Sequence, residues 1–100
     1  MHCLTVIYQR PDDPEHFKTY YAQTHIPLAR QLPGLKASTY AYPAAIGPAD
    51  NAPFCIFQAW FDSADAMGQA MQSDIGKTVA ADVPNYSPKG ATIFHFAQEG

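Results

Sequence analysis

Residues 54–61 read FCIFQAWF. Four aromatic residues and an isoleucine in eight positions, with Pro53 before them and Asp62 after, predict the strongest strand in the chain. A strand with one wet face alternates apolar and polar side chains. Here one alternating set is Phe54, Ile56, Gln58 and Trp60, and the other is Cys55, Phe57, Ala59 and Phe61. Both sets are mostly apolar, so both faces of the sheet need cover. The last predicted strand, ATIFHFAQ at 91–98, repeats the pattern: Ile93, His95 and Ala97 against Thr92, Phe94, Phe96 and Gln98. Helices can cover one face only. An apolar patch of this size on the other is more than a monomer usually tolerates. The pattern therefore predicts a homodimer, sheet face against sheet face about a two-fold axis. Register between strands is open at this point, so either set can face the helices.

Working outward, residues 2–9 (HCLTVIYQ) form a first strand. Asp13 then caps a helix with Pro14 at its first position and Glu15 in its first turn. Phe17, Tyr21, Thr24 and Leu28 make its apolar stripe. Pro27 cannot donate to the carbonyl of Gln23, so the helix should kink or restart there, and LPGL at 32–35 ends it. Residues 36–46 form a weaker strand, with Pro43 suited to an edge. GPADNAP at 47–53 is a turn. Asp62 is expected to cap the next helix, with Met67, Ala70 and Met71 on its buried stripe, and Ile75, Val79 and Val83 stay in phase through the stretch after it. The order is strand, helix, strand, strand, helix, strand. That is the split βαβ pattern: one α+β, ferredoxin-like βαββαβ domain over residues 1–100, a four-stranded antiparallel sheet with its helices on one face.

The 100 residues are 47% hydrophobic and only 15% charged, low charge for a free-standing monomer surface. A net charge of −3 with scattered lysines and arginines argues against a nucleic-acid partner. No apolar run approaches the length of a membrane span, and MHCLTVIY lacks a basic leader, so a cytoplasmic location is expected. Cys3 and Cys55 lie in strand-like runs and read as buried free thiols. Metal-ligand spacings, glycine-rich phosphate loops and dinucleotide fingerprints are all missing, so no metal or cofactor is expected.

His25 is the foremost candidate for chemistry. At 100° per residue it lies about 80° from Phe17 and about 60° from Leu28, at the border of the buried face. It either packs and hydrogen-bonds beside the helix break or serves as a general acid or base. Tyr20, Tyr21 and Tyr40 are core rings or ligand donors; Tyr8 and Trp60 can line the same pocket. Gln58 needs a polar partner in an apolar strand. His95 reads as a packed strand residue, and Asp82 as a carboxylate that orders the loop after the second helix.

Three motifs add to this. FKTYYAQTHIPLARQLPGL (17–35) resembles the first-helix signature of the EthD family, AADVPNY (80–86) resembles its segment after the second helix, and the first strand running into YQRPDDPEHF matches too. The resemblance covers nearly the whole chain. It implies a dimeric α+β barrel, and a small ligand between sheet and helices. The family takes its name from ethyl tert-butyl ether degradation. The resemblance thus suggests a small apolar organic ligand and a part in the oxidative degradation of xenobiotics or related catabolism. On this view the chain is either a proton-transferring enzyme built on His25, without a cofactor of its own, or a non-catalytic binder that supports a partner oxidoreductase system.

Overall fold

The computed structural model describes residues 1–48 and 52–100. Strand β1 (His2–Tyr8) leads into helix α1 (Pro14–Tyr20), a π-helical turn (Tyr21–His25) and helix α2 (Ile26–Ala29). Strands β2 (Ala37–Ala41) and β3 (Cys55–Phe61) follow. Helices α3 (Ala64–Gln72) and α4 (Asp74–Asp82), a 3-10 turn (Val83–Asn85) and strand β4 (Thr92–Ala97) complete the chain. The sheet order is β2-β3-β1-β4, with every pairing antiparallel. This is the expected ferredoxin-like α+β arrangement.

Register settles which side chains meet the helices. Leu4, Val6 and Tyr8 stand opposite Ala59, Phe57 and Cys55. All six are buried and join Phe17, Tyr21, Ile26, Met67 and Ala70 in one core. Cys3, Thr5 and Ile7 stand opposite Trp60, Gln58 and Ile56 on the outer face. Phe94 and Phe96 pair with Thr5 and Cys3, so they share that outer face and are each 41% exposed. Both thiols are buried and free.

Several local expectations need correction. Ser63, not Asp62, caps α3, accepting from the Ala66 N–H at 3.1 Å. The second strand is shorter than 36–46: it stops at Ala41, ahead of Pro43, on the edge of the sheet. The turn expected at 47–53 includes residues 49–51, which lie outside the described residues.

The first helix departs most from simple periodicity. Pro27 has no N–H to give to the Gln23 carbonyl. Just before it, the Ile26 N–H reaches back five residues to the Tyr21 carbonyl, and the chain winds as a π turn. The ordinary spacing resumes when the Arg30 N–H bonds the Ile26 carbonyl at 3.0 Å. The wider turn absorbs one extra residue, so the buried face runs Phe17, Tyr21, His25, Ile26 and Ala29. Thr24, expected on the stripe, is exposed, and Leu28 is half-buried. Gly34, with φ +77°, takes the left-handed conformation that closes the segment without strain.

Candidate functional site

The π turn places His25 under the helical layer, 4% exposed. Its ring stacks on Tyr21, with centroids 5.2 Å apart and planes 17° from parallel. Both ring nitrogens have partners. Nδ1 lies 2.9 Å from Asp82 Oδ2, and Nε2 lies 3.0 Å from the Tyr86 hydroxyl. Asp82 ends α4, and Tyr86 follows the 3-10 turn. Two segments more than fifty residues apart in sequence thus close on one ring.

The network extends at both ends. The Tyr86 hydroxyl is 2.7 Å from that of Tyr8, and the Tyr21 hydroxyl donates to Tyr8 at 3.4 Å. On the outer side Tyr20 donates to Asp82 Oδ1 at 2.6 Å, and Asn85 Nδ2 donates to the same oxygen at 2.9 Å. Among the described residues every buried polar side-chain atom has a partner, as a network this deep requires.

Charge in the network follows from these contacts. Burial pushes the His25 imidazole below its ordinary range, and the opposing pull of Asp82 is weaker. Burial alone would raise the Asp82 carboxyl, but hydrogen bonds from Tyr20, Asn85 and His25 outweigh it and hold the group low. At neutral pH the pair is therefore a carboxylate and a neutral imidazole. A neutral imidazole has one N–H. The carboxylate takes it, so Nδ1–H donates to Asp82 and Nε2 accepts from Tyr86. Burial raises the phenols of Tyr8, Tyr21 and Tyr86, which stay protonated. Burial likewise pushes the Cys55 thiol up to about 12, and it stays a thiol.

A cavity of about 70 Å³ lies between sheet and helices beside this network. Its walls come from β1, β3, β4, α4 and the end of the first helical segment, and Tyr8 and His25 are its polar side chains. The candidate residues divide accordingly. Tyr8 and Tyr21 gather round His25, and Tyr40 packs edge-on against Tyr21 with centroids 5.4 Å apart. Gln58 and Trp60 lie on the outer face, away from His25, where Gln58 donates to Thr5 at 3.4 Å and Trp60 to Gln98 at 3.1 Å. Their parity along β3 sets them there, and only register reveals it. His95 sits at the edge of the sheet, 2.7 Å from His2. Sequence reasoning placed Asp82 chiefly in loop ordering and passed over Tyr86. The signal for Tyr86 was a large ring between two prolines in VPNYSP, where a buried anchor is the natural use of an aromatic side chain.

The fold and the buried imidazole define a ferredoxin-like α+β subunit with one polar spot in an apolar pocket. The chain belongs to the EthD family: the EthD domain model matches residues 9–90. An 11.0 kDa protein from the thcB-thcC intergenic region of Rhodococcus erythropolis is 30% identical over 99 residues, which is 99% of this chain and 96% of that protein. The crystal structure of an EthD family protein from Bacillus halodurans C-125 superposes with a TM-score of 0.91 at 25% identity, covering 99% of both chains. A dimeric ferredoxin-like protein of unknown function from Thermobifida fusca YX has a TM-score of 0.71 at 15% identity, over 97% of this chain and 90% of that one. SnoaB, a cofactor-independent oxygenase from Streptomyces nogalater, has a TM-score of 0.66 at 16% identity, over 99% and 92%. The last two likenesses are of fold. No helix among the described residues is long and apolar enough to cross a membrane.

Proposed function

We propose that this chain binds a small, largely apolar organic molecule between sheet and helices, and exchanges a proton with it through His25. The setting is the oxidative degradation of xenobiotics or related catabolism, the context that gives the EthD family its name. One observation carries the reading: the imidazole in the cavity wall is buried and lies 2.9 Å from the Asp82 carboxylate. A neutral imidazole with a carboxylate behind it can accept a proton, and the carboxylate steadies the imidazolium that forms. Proton transfer needs no bound redox group, in keeping with a fold that also serves a cofactor-independent oxygenase. The working unit is a homodimer joined through the outer sheet face, where Ile7, Ile56, Trp60, Phe94 and Phe96 gather. A dimeric neighbour of the same fold supports this.

The size of the cavity favours a second reading. About 70 Å³ is well below the roughly 300–1,000 Å³ of ordinary ligand pockets. A non-catalytic dimer that binds a small molecule for a partner oxidoreductase system needs no more than reversible opening. Hydrogen–deuterium exchange at the α-carbon of cyclohexane-1,2-dione, which is largely enolised and so carries a hydroxyl, followed by proton NMR in D2O, separates the two. Catalysed exchange that is lost in His25→Gln is the expected result. Binding without exchange selects the auxiliary role, and neither binding nor exchange overturns both.

A further inference from the structure

The hydrogens of the buried network all point one way. Asp82 takes the hydrogen on His25 Nδ1 at 2.9 Å, so Nε2 is an acceptor. The Tyr86 hydroxyl, 3.0 Å away, donates to it. A hydroxyl has one hydrogen, so the Tyr86 oxygen can only accept at its 2.7 Å contact with Tyr8. Tyr8 therefore spends its single hydrogen on Tyr86. Tyr21 points the same way, donating to Tyr8 at 3.4 Å. Of the network's residues, Tyr8 and His25 line the cavity. The His25 nitrogens are both engaged. Tyr8, a residue of the cavity wall, thus keeps an oxygen with a spare lone pair and no free hydrogen.

We infer that the pocket selects an apolar molecule bearing a hydroxyl, a phenol or enol, which donates a hydrogen bond to Tyr8, whose own hydrogen is committed to Tyr86 and, through it, to His25. This rests on the ligand-binding reading above and narrows it. A bare ketone, ester or ether has no hydrogen to offer and leaves the Tyr8 oxygen unmatched. Tyr8 touches the ligand; Tyr86 is a positioning residue that connects it to the imidazole.

The probes are 4-nitrophenol, 4-nitroanisole and 4-nitrotoluene, which share an apolar body and differ in the hydroxyl. By titration calorimetry, 4-nitrophenol should bind the wild-type protein about tenfold tighter than 4-nitroanisole, the worth of one buried hydrogen bond. Tyr8→Phe should abolish that preference. Tyr86→Phe removes the acceptor of the Tyr8 hydrogen, so Tyr8 can donate as well as accept, and 4-nitroanisole should then bind about as tightly as 4-nitrophenol, a change that a purely structural role for Tyr86 would not produce. Equal binding of all three probes overturns this inference while leaving an apolar-ligand site in place. So does a Tyr86→Phe variant that keeps the wild-type preference for 4-nitrophenol. If none of the three binds, the ligand-binding reading falls with it.

Discussion

Removing the Tyr86 hydroxyl tests the network at its centre. In Tyr86→Phe the ring keeps its place against Phe17, Tyr20 and Tyr21, with which it now packs at centroid distances of 5.1, 5.8 and 5.2 Å. Only the bridging oxygen goes. Two hydrogen bonds go with it, at 2.7 and 3.0 Å. The substitution strands the His25 Nε2 acceptor and the Tyr8 hydrogen, both under a 1–4% exposed surface. An orphaned buried polar group costs about 1–3 kcal/mol. Partial relaxation of the Tyr8 hydroxyl leaves a net loss of roughly 2–4 kcal/mol, or about 10 °C or more in melting temperature for a domain of this size. Urea unfolding at pH 7.5 and fixed protomer concentration measures it, because coupled dimerisation makes stability depend on concentration. Tyr21→Phe is the internal control. Its hydroxyl contact with Tyr8 is long, 3.4 Å, and its loss should cost at most about 1 kcal/mol. A Tyr86→Phe variant as stable as wild type, or no more damaged than Tyr21→Phe, would refute the bridging role.

Acid should weaken the fold in two stages. The folded His25 pKa lies below its ordinary value of 6.5, so the unfolded chain takes up that proton first, and stability falls as pH drops below 6.5. The Asp82 pKa is also lowered from 3.8, so its contribution persists until pH falls below that value. Urea midpoints from pH 8 to 5 should decline in wild type and flatten in His25→Gln; parallel curves would discount the histidine. Gly76→Ala should destabilise by about 1–3 kcal/mol despite better helix propensity, since the new methyl would lie 2.5 Å from the Met71 carbonyl oxygen in the backbone. Thermal melts decide it, and an unchanged melting temperature would mean that the α3–α4 junction yields. Phe96→Glu should shift sedimentation velocity from dimer to monomer, and a wild-type chain that already sediments as a monomer would remove the interface.

The architecture was legible because its signals are local. Asp13 and Pro14 announce α1, FCIFQAWF announces β3, and the element order leaves one sheet topology. The winding at Tyr21–His25 was half legible: Pro27 marks the break, but a missing N–H does not say whether the chain kinks or adds a residue. That choice depends on what His25 and Ile26 meet below them. Asp82 and Tyr86 reach His25 only through the docking of α4, a contact between distant segments that no periodicity encodes. Gln58 and Trp60 were grouped with His25 because strand parity leaves the two faces equivalent until neighbouring strands fix the register.

The π turn acts as a phase shifter between two stretches of helix. Upstream, Phe17 and Tyr21 address the sheet; downstream, Ile26 and Ala29 do so again, one position later than a uniform helix would allow. Delete one residue from 22–24 and the winding becomes regular, with Ile26 and Ala29 falling four and seven residues after Tyr21, still on the face turned to the sheet. A one-residue gap here in a related sequence therefore marks a plain helix with the same buried face, in which the widened turn that seats His25 beside Ile26 is gone.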